Sequence, residues 1–101
     1  YQGQIIGSLT GTLSAVTPSI TARRVLGENI RRAGVTFFND SAAAAYLKFG
    51  SGSFTTGSYS VKLADQATLY FDQLVYVGEV WAIWNTGITT GSMMITEFEN
   101  P

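Results

Sequence analysis

Residues 31–50 read RRAGVTFFNDSAAAAYLKFG, and the rest of the chain is arranged around this stretch. Val35-Thr36-Phe37-Phe38 has the β-branched and aromatic content of a strand, and so has Ala45-Tyr46-Leu47-Lys48-Phe49. Asn39-Asp40-Ser41 lies between them, and each of these side chains can hydrogen-bond its own backbone and favour a turn. The expected unit is two strands folded back on each other, with later strands packed onto them. Ser41 to Ala45 is rich in alanine, but five residues fall far short of the ~12–15 at which an isolated helix becomes even marginal.

Downstream, Gly50-Ser51-Gly52-Ser53-Phe54-Thr55-Thr56-Gly57 is a flexible loop with one aromatic at its tip. Ser58 to Leu63 alternates cleanly, with Tyr59, Val61 and Leu63 on one side and Ser58, Ser60 and Lys62 on the other. Leu69-Tyr70-Phe71 and Leu74-Val75-Tyr76, divided by Asp72-Gln73, make one bent strand or two. In Gly78 to Trp84 both faces are apolar. Val80, Ala82 and Trp84 share one side, and Trp81 and Ile83 share the other with Glu79. Burial on both sides suits a central strand, or one whose outer face another subunit covers. Gly91 to Phe98 closes the set, with Glu97 and Glu99 opposite Phe98. About five to eight short strands at roughly ten-residue spacing, with no convincing helix, predict an all-β chain, an antiparallel sandwich or barrel-like fold.

Upstream, residues 8–21 are small, β-branched and uncharged, and their Gly, Thr and Pro content argues against a helix. The expectation is an extended N-terminal arm and linker over 1–29, followed by a β-sandwich domain over 30–101. Such an arm can dock on its own domain, add a strand to a neighbouring subunit or fray. Its apolar residues Leu9, Leu13, Val16 and Ile20 favour docking. Arg23-Arg24 and Arg31-Arg32 are two basic pairs, read either as solvated arginines or as forks for carboxylates of a partner protein.

The residue inventory limits the chemistry. Charged residues are 13% of the chain, about half the usual share, and the net charge is −1, so there is no broad basic field for nucleic acid. The chain has neither Cys nor His, which excludes disulfides, thiolate chemistry and triads built on either residue. No apolar run approaches the ~20 residues of a membrane helix. No cofactor, metal or small-molecule ligand is expected. Glu97 and Glu99 lie about 7 Å apart along one strand face, within the range of a glycosidase pair, but a solvated strand end explains them better. Asn39-Asp40-Ser41 matches the glycosylation tripeptide, a pattern of little weight alone. The aromatics, Trp81 and Trp84 among them, admit a sugar-stacking surface beside the simpler reading of packing.

The order of these segments resembles a known group. An Arg-led strand (Arg32 to Phe38) runs into Asn39-Asp40-Ser41 and then Ala45-Tyr46-Leu47-Lys48-Phe49-Gly50. A Ser-rich loop, Tyr59 to Leu63, Tyr76 to Trp84 and Met93 to Glu97 follow. This is similar to the small β-sandwich virion structural proteins of tailed bacteriophages, over about residues 30–98. The resemblance implies no catalytic residue. It implies a capsid decoration or cement protein on the outer capsid surface, with the major capsid protein and further copies of itself, as homotrimer or homodimer, for partners. The alternative is a carbohydrate- or receptor-binding β-module of a fibre or tail. The residues expected at a partner interface are Leu9, Leu13, Val16, Ile20, Arg23, Arg24, Phe54, Trp81 and Ile83.

Overall fold

Alternate positions along four strands are withdrawn from solvent: Val35 and Phe37, Ala45 and Leu47, Val80, Ala82 and Trp84, Met93 and Ile95. Each large side chain among them stabilises the fold by about 1.5–3 kcal/mol relative to exposure. The computed structural model describes residues 10–71, 75–86 and 90–100. Among these are eight strands: β1 (Thr10–Val16), β2 (Arg23–Leu26), β3 (Arg32–Ser41), β4 (Ala45–Phe49), β5 (Val61–Leu63), β6 (Thr68–Phe71), β7 (Val80–Trp84) and β8 (Gly91–Glu99). They form two four-stranded sheets, β1-β8-β3-β6 and β2-β7-β4-β5, with every pairing antiparallel. The core lies between them, so the chain is an all-β sandwich.

The expected hairpin of β3 and β4 does not form. The two strands belong to different sheets, and residues 42–44 carry the chain across the gap. Sheets pack ~10 Å apart, a distance that the four steps from Ser41 to Ala45 can span at ~3.3–3.6 Å each. Val35 and Phe37 therefore meet Ala45 and Leu47 across the core rather than side by side. Of the consecutive strands, only β4 and β5 are paired neighbours.

The boundary drawn at residue 30 also moves. Segment 10–16 of the expected arm pairs along β8 from Thr10↔Glu99 to Val16↔Met93, and Arg23–Leu26 pairs with β7. Both are strands of the sandwich itself. β5 is shorter than its sequence pattern. Alternation holds for Val61 and Leu63, but Tyr59 is 45% exposed and sets its ring against Tyr46 at 4.8 Å, outside the core. β6 covers Thr68–Phe71, and residues 75–77 are not strand.

Candidate functional site

Strand β3 carries a polar clamp at each end. At its start, Arg32 is buried, with 0% of its side chain exposed. Its Nε donates to Glu97 Oε2 at 2.7 Å, one terminal nitrogen donates to the carbonyls of Tyr76 (2.7 Å) and Gly78 (3.1 Å), and the other donates to Gly27 O (2.7 Å). Asn29 Nδ2 donates to Glu97 and Glu99. Arg32 thus ties β8 in its own sheet to the segments flanking β2 and β7 in the other. Its carboxylate partner lies within the chain, so neither the solvated nor the partner-directed reading holds for Arg32. Glu97 and Glu99 serve this clamp, which accounts for their spacing.

At the far end, Asn39 Nδ2 donates to the carbonyls of Ala43 (2.8 Å), Leu63 (2.9 Å) and Ala64 (3.2 Å). Ser41 Oγ donates to Asn39 Oδ1 at 2.7 Å and accepts from Trp84 Nε1 at 3.2 Å. No buried side-chain nitrogen or oxygen among the described residues lacks a partner, as satisfied polar networks require. Asn39 is fully buried, so the folded chain offers no glycan acceptor there. Trp84 is 1% exposed and belongs to the core, so it takes no part in a sugar-stacking surface.

The outer faces differ. On the β2-β7-β4-β5 sheet, Arg24 opposes Trp81, which opposes Lys48, while Ile83 opposes Tyr46, which opposes Lys62. Lys62 Nζ stands 5.8 Å from the Tyr46 ring centre. Trp81 Nε1 donates to Glu79 Oε1 at 2.9 Å, and Arg24 lies 3.7 Å from the same carboxylate. The Trp81 hydrogen bond first, then the Arg24 charge, hold the Glu79 carboxyl below its ordinary value, against some desolvation. Ile83, at 8% exposure, is already covered within the chain. The Trp81/Ile83 face is therefore charged and partly self-covered rather than openly apolar.

On the β1-β8-β3-β6 sheet, cross-strand register places Leu13 beside Thr96 beside Thr36 beside Tyr70. Ala15, Met94, Phe38 and Thr68 form the next row, and Gly11, Phe98 and Gly34 the previous one. A Cβ at Gly11 would stand 3.2 Å from the Phe98 ring and one at Gly34 3.8 Å, so the two glycines leave room for that ring to lie across the sheet. Leu13 (63%) and Tyr70 (62%) are widely exposed. Among the described residues, Asp40 at the end of β3 is the one charged side chain of this face. Phe38, Tyr70, Met94 and Phe98 are absent from the interface expected from sequence. Alternation against the buried Val35, Phe37, Met93 and Ile95 is the signal that would have found them.

The expected interface residues do not converge. Leu9 lies outside the described residues. Leu13 belongs to the uncharged face, whereas Val16 turns inward and packs on the core. Ile20 is 62% exposed in the β1–β2 connection. Arg23 is exposed, Arg24 is exposed beside Glu79, and Phe54 is half-buried in its loop. Trp81 and Ile83 lie on the opposite sheet from Leu13. Among the described residues no group of His, Cys, Asp or Glu is arranged to hold a metal, and no helix is long and apolar enough to cross a membrane. In comparisons with known proteins, no family model, curated protein or solved structure matches the chain.

Proposed function

We propose that this chain is a virion structural protein, a capsid decoration or cement protein that docks on the outer capsid surface through the outer face of its β1-β8-β3-β6 sheet. The observation that carries the reading is the near absence of charge among the described residues of that face, where Asp40 is the one charged side chain. Interfaces are depleted of charge at their centres and enriched in aromatics and Met, and Phe38, Tyr70, Met94 and Phe98 fit that description. Four strands ~4.8 Å apart and up to about 30 Å long give a face of roughly 500 Å². A stable interface takes ~800 Å² per partner, so the loops around the face or a second copy must supply the remainder. Many weakly held copies on one shell would then act together by avidity.

The test compares shells stripped of the protein with shells to which it has been restored. Restored shells should resist heat and low salt better. A variant carrying Tyr70→Lys and Thr96→Lys should fold but be released at lower temperature than wild type. Equal shell resistance with and without the wild-type chain removes the reading.

A further inference from the structure

Among the described residues the two sheets have four outer edges: β1 and β6 in one, β2 and β5 in the other. Exposed edges present unpaired N–H and C=O groups and recruit other strands unless they are short, charged, bulged or covered. β2 has four residues, two of them arginines, and a register shift between Arg24 and Leu26. β5 has three residues centred on Lys62. β6 has four, with Asp72 next in sequence. β1 departs from all three. It has seven residues, TGTLSAV, with no charge, no proline and no shift in its register against β8, and six of the seven are exposed.

We infer that the chain forms a two-fold dimer in which β1 pairs antiparallel with β1 of a second copy, joining two four-stranded sheets into one of eight. The second copy is the occupant that the strand itself specifies. A two-fold axis at Leu13, the middle of β1, uses all seven residues. Leu13 then faces its own equivalent, Gly11 faces Ala15, Thr12 faces Ser14 and Thr10 faces Val16. Every pair is small or apolar and none brings charge to charge. A partner of different chemistry would find no charged side chain on β1 to select it. The axis is perpendicular to the sheet, so both uncharged faces lie on the same side and the docking face is doubled to roughly 1,000 Å². The dimer stands on edge chemistry alone and does not rest on the capsid reading.

The test uses the full chain. Sedimentation should give twice the monomer mass, with a melting temperature that rises with protein concentration. Leu13→Lys puts like charges directly opposite each other at an exposed position, and should yield a folded monomer. The chain has no cysteine, so Leu13→Cys supplies the sole thiol, and mild oxidation should link the copies covalently. Thr96→Cys, on the same face but about 14 Å from its equivalent across three strand spacings, should not cross-link. A wild-type monomer at all concentrations overturns the dimer. Protected β1 amides in that monomer would show the edge covered by the chain's own residues 1–9. A dimer that survives Leu13→Lys, or that cross-links at Thr96 but not at Leu13, overturns the interface.

Discussion

Replacing Arg32 with methionine preserves much of the side chain's length and removes its charge and all its donors. In the wild type these donors serve Glu97 and the carbonyls of Gly27, Tyr76 and Gly78 at 2.7–3.1 Å. Breaking one side of a buried ion pair costs about 3–5 kcal/mol. Here Glu97 retains 18% exposure and the Asn29 amide at 3.2 Å, so its stranded carboxylate can partly rehydrate. The lower part of that range applies, about 3 kcal/mol, out of the 5–15 kcal/mol that typically holds a domain together. For a chain of this length that corresponds to a fall in Tm of about 15 °C. Urea unfolding of the wild type, Arg32→Met, Glu97→Gln and the double variant would measure it. The cost of Arg32→Met should shrink by about 1–2 kcal/mol when Glu97 is already glutamine, because the two share one network. A cost below about 1 kcal/mol, or strict additivity of the two changes, would refute the view that this clamp holds the two sheets together.

Two further outcomes are expected. Gly91 adopts φ +79°, and a Cβ there would collide with the carbonyl oxygen of Asp40 and approach Ser41 Cα to 2.9 Å. Gly91→Ala should therefore lower stability by about 2–3 kcal/mol in thermal unfolding, and a neutral result would show that β8 can start elsewhere. Glu79 has a lowered folded-state pKa, so the folded chain binds fewer protons there than the unfolded one. Its stabilising contribution is present above the unfolded value and is lost as pH falls through the folded one. The emission of Trp81 should accordingly titrate with a midpoint below 4.5, the ordinary value of the group, and Glu79→Gln should abolish that step. A midpoint at or above 4.5 would contradict the geometry.

Alternation along β7 and β8 was readable from the residues, but both sides of each strand carry large apolar side chains, so polarity did not tell which side is the core. Val80, Ala82 and Trp84 face in, and Phe98 faces away from Glu97 and Glu99. The connection of β3 to β4 was not readable, because a hairpin and a crossing between sheets require the same alternation on both strands. What separates them is the network that Asn39 and Ser41 build with Ala43, Leu63, Ala64 and Trp84, whose members lie up to 45 positions from Asn39. Arg32 is a similar case, since its four acceptors come from residues 27, 76, 78 and 97. β1 looked like an arm because both its faces are largely exposed and its composition shows no contrast between them. Of the uncharged outer face the sequence reading picked out Leu13 alone, because only the order β1-β8-β3-β6 lines Phe38, Tyr70, Met94 and Phe98 up with it.

That order has a consequence for how the chain comes into being. β8 is the last of these eight strands to leave the ribosome, yet it lies between β1 and β3, and β7 likewise lies between β2 and β4. Until residues 80–99 emerge, β1 and β2 have no strand to pair with, and only the pairs β3–β6 and β4–β5 can form. Both sheets are therefore completed only once residues 80–99 are out. A stop codon placed just before β8 would leave β1 without a partner and reduce its sheet to β3 and β6.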